Sequence, residues 1–391
     1  MKVQAERLSH FQTGIFAALD EKKDQLLKSG KKVYNLSIGT PDFEPPAHVV
    51  DAMTEASRDP KNYVYSLKDF PETLKAVQRY YKRRFGVEIS TDEITSVHGT
   101  QEGIGHIGMA LLSKGDYALL PNPGYPIFEA GAYLGDGNLF FYSLKAENGF
   151  LPDFDEIPEE IARKAKMMVI SYPYNPVCAV ADDTVYKRAI AFAKKYDILI
   201  IHDNAYSDII YDGKEGKSFL SYEGAKDVGV EFFSLSKSFN VTGLRISFLV
   251  GKKEVIDSLK LLRSQIDFGM PVMIQKAAVA ALDGPLDMVK EQCREYEKRR
   301  DALCGGFRKI GWNVPDSQGT MFVWAPIPDK FTSSEEFCME LMERTGVICT
   351  PGISFGSLGE GYVRFALVLP PEKLKEVVRI VDESGILKGK L

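Results

Sequence analysis

From about residue 94 to residue 201, short apolar runs alternate with stretches of helical period, and this alternation constrains the fold more than any other feature of the chain. Ile94-Thr-Ser-Val97 leads into Gly99-Thr-Gln-Glu-Gly and a helix through Leu112. Tyr117-Ala-Leu-Leu120 leads into Pro121-Asn-Pro-Gly-Tyr125 and a further helix, after which comes Leu139-Phe-Phe-Tyr142. Met167-Met-Val-Ile170, a helix near Thr184–Tyr196, and Ile198-Leu-Ile-Ile201 continue the series. Such runs have no polar face to turn to water, so they predict strands covered on both sides, the environment of a parallel sheet sandwiched by helices. Right-handed crossovers then bring the strand C-termini to one edge, and ligands bind in the crevice along it.

The remaining segments differ in pattern. A charged helix is predicted from about Asp283 to Ile310, followed by the apolar run Met321–Trp324, a helix near Ser334–Arg344, the run Tyr362–Ala366 and a terminal helix from Pro371. These read as a smaller α+β domain. A chain of 391 residues exceeds one ordinary core. The expected division is a large domain at 46–285 and a small one built from 1–45 and 286–391, joined through Pro41–Pro46.

Composition narrows the class. The chain is 45% hydrophobic and 26% charged, with no long uncharged apolar run that would span a bilayer. Its N-terminus, Met-Lys-Val-Gln-Ala-Glu-Arg, lacks the apolar core of a secretory signal. Cys178, Cys293, Cys304, Cys338 and Cys349 have no paired or metal-ligand spacing, so a cytoplasmic protein with reduced thiols and no metal is expected. A formal charge of −5 gives no support to nucleic-acid binding.

The chemistry centres on Ser234-Leu-Ser-Lys237-Ser-Phe-Asn-Val-Thr-Gly243-Leu-Arg245, which directly follows the apolar run around Phe232-Phe233. A lone lysine is most often a solvated loop residue. One held at a strand end can form a Schiff base with an aldehyde cofactor if its amine is deprotonated. Ser234, Ser236 and Arg245 supply donors and charge for a phosphate. Together they predict a site for pyridoxal 5'-phosphate (PLP).

Other candidates follow predicted strands. Asp203, in His202-Asp-Asn-Ala-Tyr206, would keep the cofactor's pyridine nitrogen protonated and make the ring an electron sink. Without such a partner an aspartate there is a turn or cap residue. Tyr206 and Asn175, the latter in Tyr172-Pro-Tyr-Asn-Pro176, would hydrogen-bond the cofactor's phenolate oxygen. Thr100 and Gln101 open a helix whose N–H groups favour a phosphate. Tyr125 would stack on the ring. Arg364, in the apolar run Tyr362–Ala366, needs a partner, and its planar fork suits a substrate carboxylate; a structural ion pair is the plainer reading.

Taken together these residues resemble the class I/II aminotransferases of the PLP fold type I superfamily, over nearly the whole chain, with wording closest to the LL-diaminopimelate and alanine-type branch. The resemblance implies a PLP enzyme that moves an amino group between an amino acid and a 2-oxo acid by a ping-pong cycle. It also implies a homodimer with shared active sites, in which Tyr65 reaches the partner's cofactor phosphate. Leu36-Ser-Ile-Gly39-Thr-Pro-Asp-Phe would contact substrate through Gly39, beside Asn175 and Arg364. Two departures bear on the pocket: Val177-Cys178-Ala179 stands where the family usually has Thr-Gly after Asn-Pro, and Phe70 where it usually has glycine. A cysteine-sulfur β-lyase of the same fold would use the same lysine and aspartate. A PLP-binding regulatory domain is the remaining alternative, but the pattern begins near residue 36 and leaves little chain ahead of it for a DNA-binding module.

Overall fold

The computed structural model describes residues 3, 5, 8, 10, 11, 14–28 and 30–388. Its centre is a seven-stranded sheet whose strands lie in the order Ile94–Val97, Ser247–Gly251, Gly229–Ser234, Leu199–Asp203, Ala165–Ser171, Tyr117–Asn122, Asn138–Ser143. Gly229–Ser234 and Ser247–Gly251 are buried along their whole length, and Ala165–Ser171 is buried at every position except Lys166. Only helices on both faces can cover strands of that kind.

Ser247–Gly251 runs antiparallel to both of its neighbours, and every other pairing in this sheet is parallel. The sequence pattern did not mark this strand. Its reversal matters, because the start of an antiparallel strand lies at the edge where parallel strands end. Arg245, just before Ser247, is thereby delivered to the same crevice as the residues after the other strands.

Local signals set the helix boundaries. Asp182 accepts hydrogen bonds from Thr184 N and Val185 N to start the helix Asp183–Tyr196, which Asp197 ends in the left-handed region. The long charged helix spans Asp287–Lys309, beginning later than expected. Gly284 and Pro285 separate it from the preceding helix, Val272–Asp283. On the other side of the crevice, Phe322–Pro326, Tyr362–Ala366 and Thr350–Pro351 form an antiparallel three-stranded sheet. Tyr34–Asn35 pairs in parallel with Val347–Ile348, and Ala366 N donates to Leu36 O at 2.7 Å. The segment that carries Gly39 is therefore fastened to the C-terminal elements. Arg299 of the long helix reinforces it, donating to both Asp42 oxygens, at 2.6 and 3.1 Å. Among the described residues no helix is long and apolar enough to cross a membrane.

Candidate active site

A cavity of about 740 Å³ lies along the C-terminal edge of the large sheet, roofed by the Ser37–Thr40 segment and by Phe322, Phe355 and Arg364. Thr100, Gln101, Tyr125, Asn175, Asp203, Tyr206, Ser234, Ser236, Lys237, Arg245, Gly39 and Arg364 all line it. Of the candidate site residues, Tyr65 alone lies elsewhere. It is 79% exposed and meets Phe268 edge to face on the outer surface.

Lys237 sits in the single helical turn Leu235–Ser238, started by Ser234, whose hydroxyl accepts Ser236 N–H at 3.1 Å. Its Nζ donates to Gly39 O at 2.6 Å. Two buried anchors fix the turn: Gln292 Nε2 donates to Lys237 O at 2.8 Å, and the Ser238 hydroxyl donates to Asp208 at 2.6 Å. Burial, aided by the positive charges of Arg364 and Arg245, lowers the amine pKa to about 8. A substantial neutral fraction near neutrality is what a nucleophilic lysine needs.

Asp203 ends its strand with a carboxylate whose one hydrogen bond, from Ala205 N, is long at 3.3 Å. Burial raises its pKa to about 6, with His202 and that N–H opposing. A buried acid so poorly compensated is a receptor for a cationic N–H. Its neighbour His202 faces the other way, into a buried knot where Glu231 meets the imidazole at 2.8 Å and accepts from Tyr81, Ser218 and Phe219 N. That knot belongs to the sheet rather than to the cavity.

A chain of hydroxyls crosses the strand ends: Thr100 donates to Ser247 at 3.2 Å, and Ser247 donates to Ser234 at 2.9 Å. Arg245, held in the left-handed region at φ 52°, leans on Thr242 O through Nη1 at 2.9 Å. Gly99, at φ +86°, leaves room for it, since a Cβ there would overlap the guanidinium. Hydroxyls, a helix N-terminus and a guanidinium converge on one space, a donor set suited to a phosphate. With Lys237 and Asp203 on the same cavity, the residues fit PLP: Arg245, Ser234, Ser236 and Thr100 for its phosphate, Lys237 for its aldehyde, Asp203 for its ring nitrogen.

Arg364 is buried, and burial lowers its pKa from the usual guanidinium value. Nη1 donates to Asn175 Oδ1 at 2.7 Å, Nη2 donates to Ser37 O at 3.0 Å, and Nε has no partner among the described residues. The ring of Phe322 lies 4.1 Å and that of Phe355 4.7 Å from its guanidinium carbon. A buried guanidinium bonded only to neutral acceptors is an anion receptor. Burial also raises the Tyr206 pKa, so that hydroxyl stays a donor.

The two departures from the family pattern turn away from this space. Phe70 is absent from the cavity lining, and its N–H donates to Gln275 Oε1 at 2.9 Å. Val177, Cys178 and Ala179 line a separate cavity of about 280 Å³. Cys178 takes φ 63°, so the backbone turn usually made by glycine is kept at the cost of a strained Cβ. Glu102, His106 and Asp267 bring ligand atoms within 4.8 Å of one another, but Arg263 already lies 3.6 Å from Glu102 and 2.9 Å from Asp267, supplying the positive charge there.

Sequence reasoning missed Ser247, Ser37, Phe322 and Glu129 on or beside this cavity. Ser247 is the first residue of the unforeseen strand. Phe322 was read only as part of an apolar run, and Glu129 is an ordinary residue in a helix.

Comparison with known proteins agrees with this geometry. Residues 31–381 match the family described as aminotransferase class I and II. An LL-diaminopimelate aminotransferase of Halothermothrix orenii is 42% identical over 98% of both chains. One of Dehalococcoides mccartyi is 40% identical, covering 95% of this chain and 96% of that one. The solved structure of substrate-bound BacF from Bacillus subtilis superposes over the full length of both chains with a TM-score of 0.96 at 36% identity. An alanine aminotransferase from Pyrococcus furiosus gives a TM-score of 0.90 at 28% identity, covering 97% of this chain and 98% of that one.

Proposed function

This chain belongs to the class I and II aminotransferases, PLP-dependent enzymes, and we propose that Lys237, Asp203, Arg245 and Arg364 are the working groups of its transamination site. The curated relatives are aminotransferases, which disfavours the β-lyase alternative. The observation that carries the assignment is one cavity holding a lysine with its pKa lowered to about 8, a buried carboxylate and a buried guanidinium without an anion.

PLP, when bound, supplies an aldehyde that takes up an amino group and a ring that accepts the electrons of the substrate's Cα–H bond. Arg364 grips the α-carboxylate of the amino acid, held in line by Asn175 and the Ser37 carbonyl. Lys237, freed as the amino acid binds, would take the proton from the substrate α-carbon and pass it to the carbon that bore the aldehyde, the reverse transfer serving the second half of the cycle. Asp203 would stay ionised beside the ring nitrogen, and Tyr206 and Asn175 would donate to the ring oxygen. Gly39 and Phe322 close over the site and exclude water. One water, admitted after the proton transfer, would release the carbon skeleton as a 2-oxo acid and leave the amino group behind, and a second oxo acid would take that group up with return of the water.

Tyr65, with the exposed Tyr63, Val64, Leu67, Ile266 and Phe268, makes this part of the surface apolar, outside the cavity lining. That face supports a homodimer in which Tyr65 reaches the partner's phosphate. The small domain then comprises 1–45 and 286–391 and the large one 46–285, as the pairing of Tyr34–Asn35 with Val347–Ile348 suggests. The chain operates in the cytoplasm, a reading that rests on its unpaired cysteines.

The test is visible absorption of the PLP-loaded protein while single amino acids are added without an oxo acid. Loss of the lysine-bound band with one equivalent of oxo acid per site is expected. Continuous release of ammonia with the band retained would overturn the assignment.

A further inference from the structure

The long helix Asp287–Lys309 carries a buried row made by Gln292, Tyr296 and Arg299, whose spacing of four and three residues puts them on one face. At one end of the row Gln292 Nε2 donates to Lys237 O at 2.8 Å, and Gln292 Oε1 accepts from Asn240 Nδ2 at 2.8 Å. Asn240 Nδ2 also donates to Glu44 O at 3.2 Å. At the other end Arg299 donates to both Asp42 oxygens, at 2.6 and 3.1 Å, and to Leu367 O at 2.9 Å. Between them the Phe43 ring meets Tyr296 edge to face, centroids 5.1 Å apart, and its centroid lies 4.5 Å from the Arg299 guanidinium carbon.

These contacts close a ring. Lys237 Nζ donates to Gly39 O at 2.6 Å, the segment bearing Gly39 is held at Asp42 by Arg299, and Gln292 holds the backbone of Lys237. Both ends of the Lys237–Gly39 hydrogen bond are therefore tied to one helix, at points about 10 Å apart along its axis. A lysine amine sits at the end of a flexible four-carbon stem, so its resting place depends on where its backbone and its acceptor are fixed. Proton transfer tolerates little misplacement, since a shift of about 1 Å costs on the order of a hundredfold in rate. Neither Gln292 nor Arg299 lines the cavity, so whatever they contribute passes through other groups.

We infer that the Gln292–Tyr296–Arg299 face positions the Lys237 amine, Gln292 by holding the lysine backbone and Arg299 by holding the segment that bears its acceptor. The consequence for turnover rests on the transamination reading, whereas the placement of the amine is measurable without it.

The test reads capture of a small aldehyde by the full-length protein across pH, trapped with borohydride and quantified at the Lys237 peptide. Gln292→Met keeps the length of the side chain and removes its amide. It should raise the midpoint toward that of an ordinary lysine by about half a pH unit or more, because a turn that drifts lets water reach the amine. Asp42→Ala releases the other end and should also raise it. Loss of that negative charge alone would lower the midpoint, so a rise reports movement. The two changes together should do no more than the larger one alone, since either opens the same ring. In the PLP-loaded enzyme Gln292→Met should lower kcat by about tenfold or more and leave KM for amino acids unchanged, because Arg364 is untouched. Arg294→Gly, on the exposed side of the same helix, loosens it without touching the row, and thermal melts show how far each variant is destabilised. An unmoved midpoint in Gln292→Met, shifts that simply add, a loss confined to KM, or an equal shift in Arg294→Gly would each overturn the inference. If the midpoint moves as expected but no amino acid converts the cofactor, the transamination reading fails and the positioning of the amine stands.

Discussion

Arg364 Nη1 donates to Asn175 Oδ1 at 2.7 Å, joining a strand of the three-stranded sheet to the loop after a strand of the seven-stranded one. The bond bridges the crevice between two layers and aims the guanidinium into it. Replacing Arg364 with lysine keeps a charge and loses the planar fork. Arg364→Lys should lower kcat/KM for amino and oxo acids by about 10- to 100-fold, mainly through KM, as expected for a lost charged hydrogen-bonding pair. Asn175→Ala should cost less than Arg364→Ala. Steady-state kinetics with several donors decides it, and an unchanged KM for all of them would show that another group holds the carboxylate.

Lys237 should behave as an amine of pKa about 8 rather than as an ordinary lysine. Below that pH the ammonium dominates, so capture of an aldehyde slows about tenfold per pH unit as pH falls. Above it the rate levels off. Trapping a small aldehyde on cofactor-free protein with borohydride, and quantifying the Lys237 peptide by mass, measures the midpoint. Arg245→Gln removes a neighbouring positive charge and should move that midpoint upward. A midpoint near that of free lysine in the wild-type protein would contradict the burial described here.

Asp203 is expected to matter far more for turnover than for attachment of the cofactor. Asp203→Asn keeps the shape and removes the charge. Cofactor should still attach to Lys237, whereas exchange of the substrate α-proton should fall by about a hundredfold or more. Washout of α-deuterium from a labelled amino acid follows that step directly.

Gly99→Ala tests the phosphate cradle apart from the chemistry. A Cβ at φ +86° is strained and would overlap the Arg245 guanidinium. Affinity for PLP should fall by about tenfold or more, with a smaller effect on the melting temperature of the cofactor-free protein. Spectroscopic titration with PLP measures the first, and a thermal melt the second.

Residues that follow a long apolar run were legible in the sequence, because a buried strand is obvious and its end has only one place to go. That is why Thr100, Tyr125, Asn175, Asp203 and Lys237 come together in one cavity. What was not legible has a common cause. The pattern of apolar runs did not mark Ser247–Gly251, and nothing in its composition says which way it runs. Asp208, in a turn, holds Ser238, and Gln292, on the long charged helix, holds the Lys237 carbonyl, both from other parts of the chain. Glu129 looks like any surface glutamate until the helix bearing it is set against the crevice. Tyr65 does not line the cavity of its own chain, and the role proposed for it rests on a second chain.

The reversed strand Ser247–Gly251 has a consequence for how freely this site can vary. With it antiparallel, Lys237 and Arg245 become the two shoulders of one short excursion between adjacent strands. The spacing between an aldehyde and a phosphate on one cofactor is fixed by that cofactor's own bonds. Lengthening or trimming residues 238–244 would displace one shoulder against a ruler that does not stretch. Substrate preference can drift through the far wall and the roof, while this stretch must keep its length.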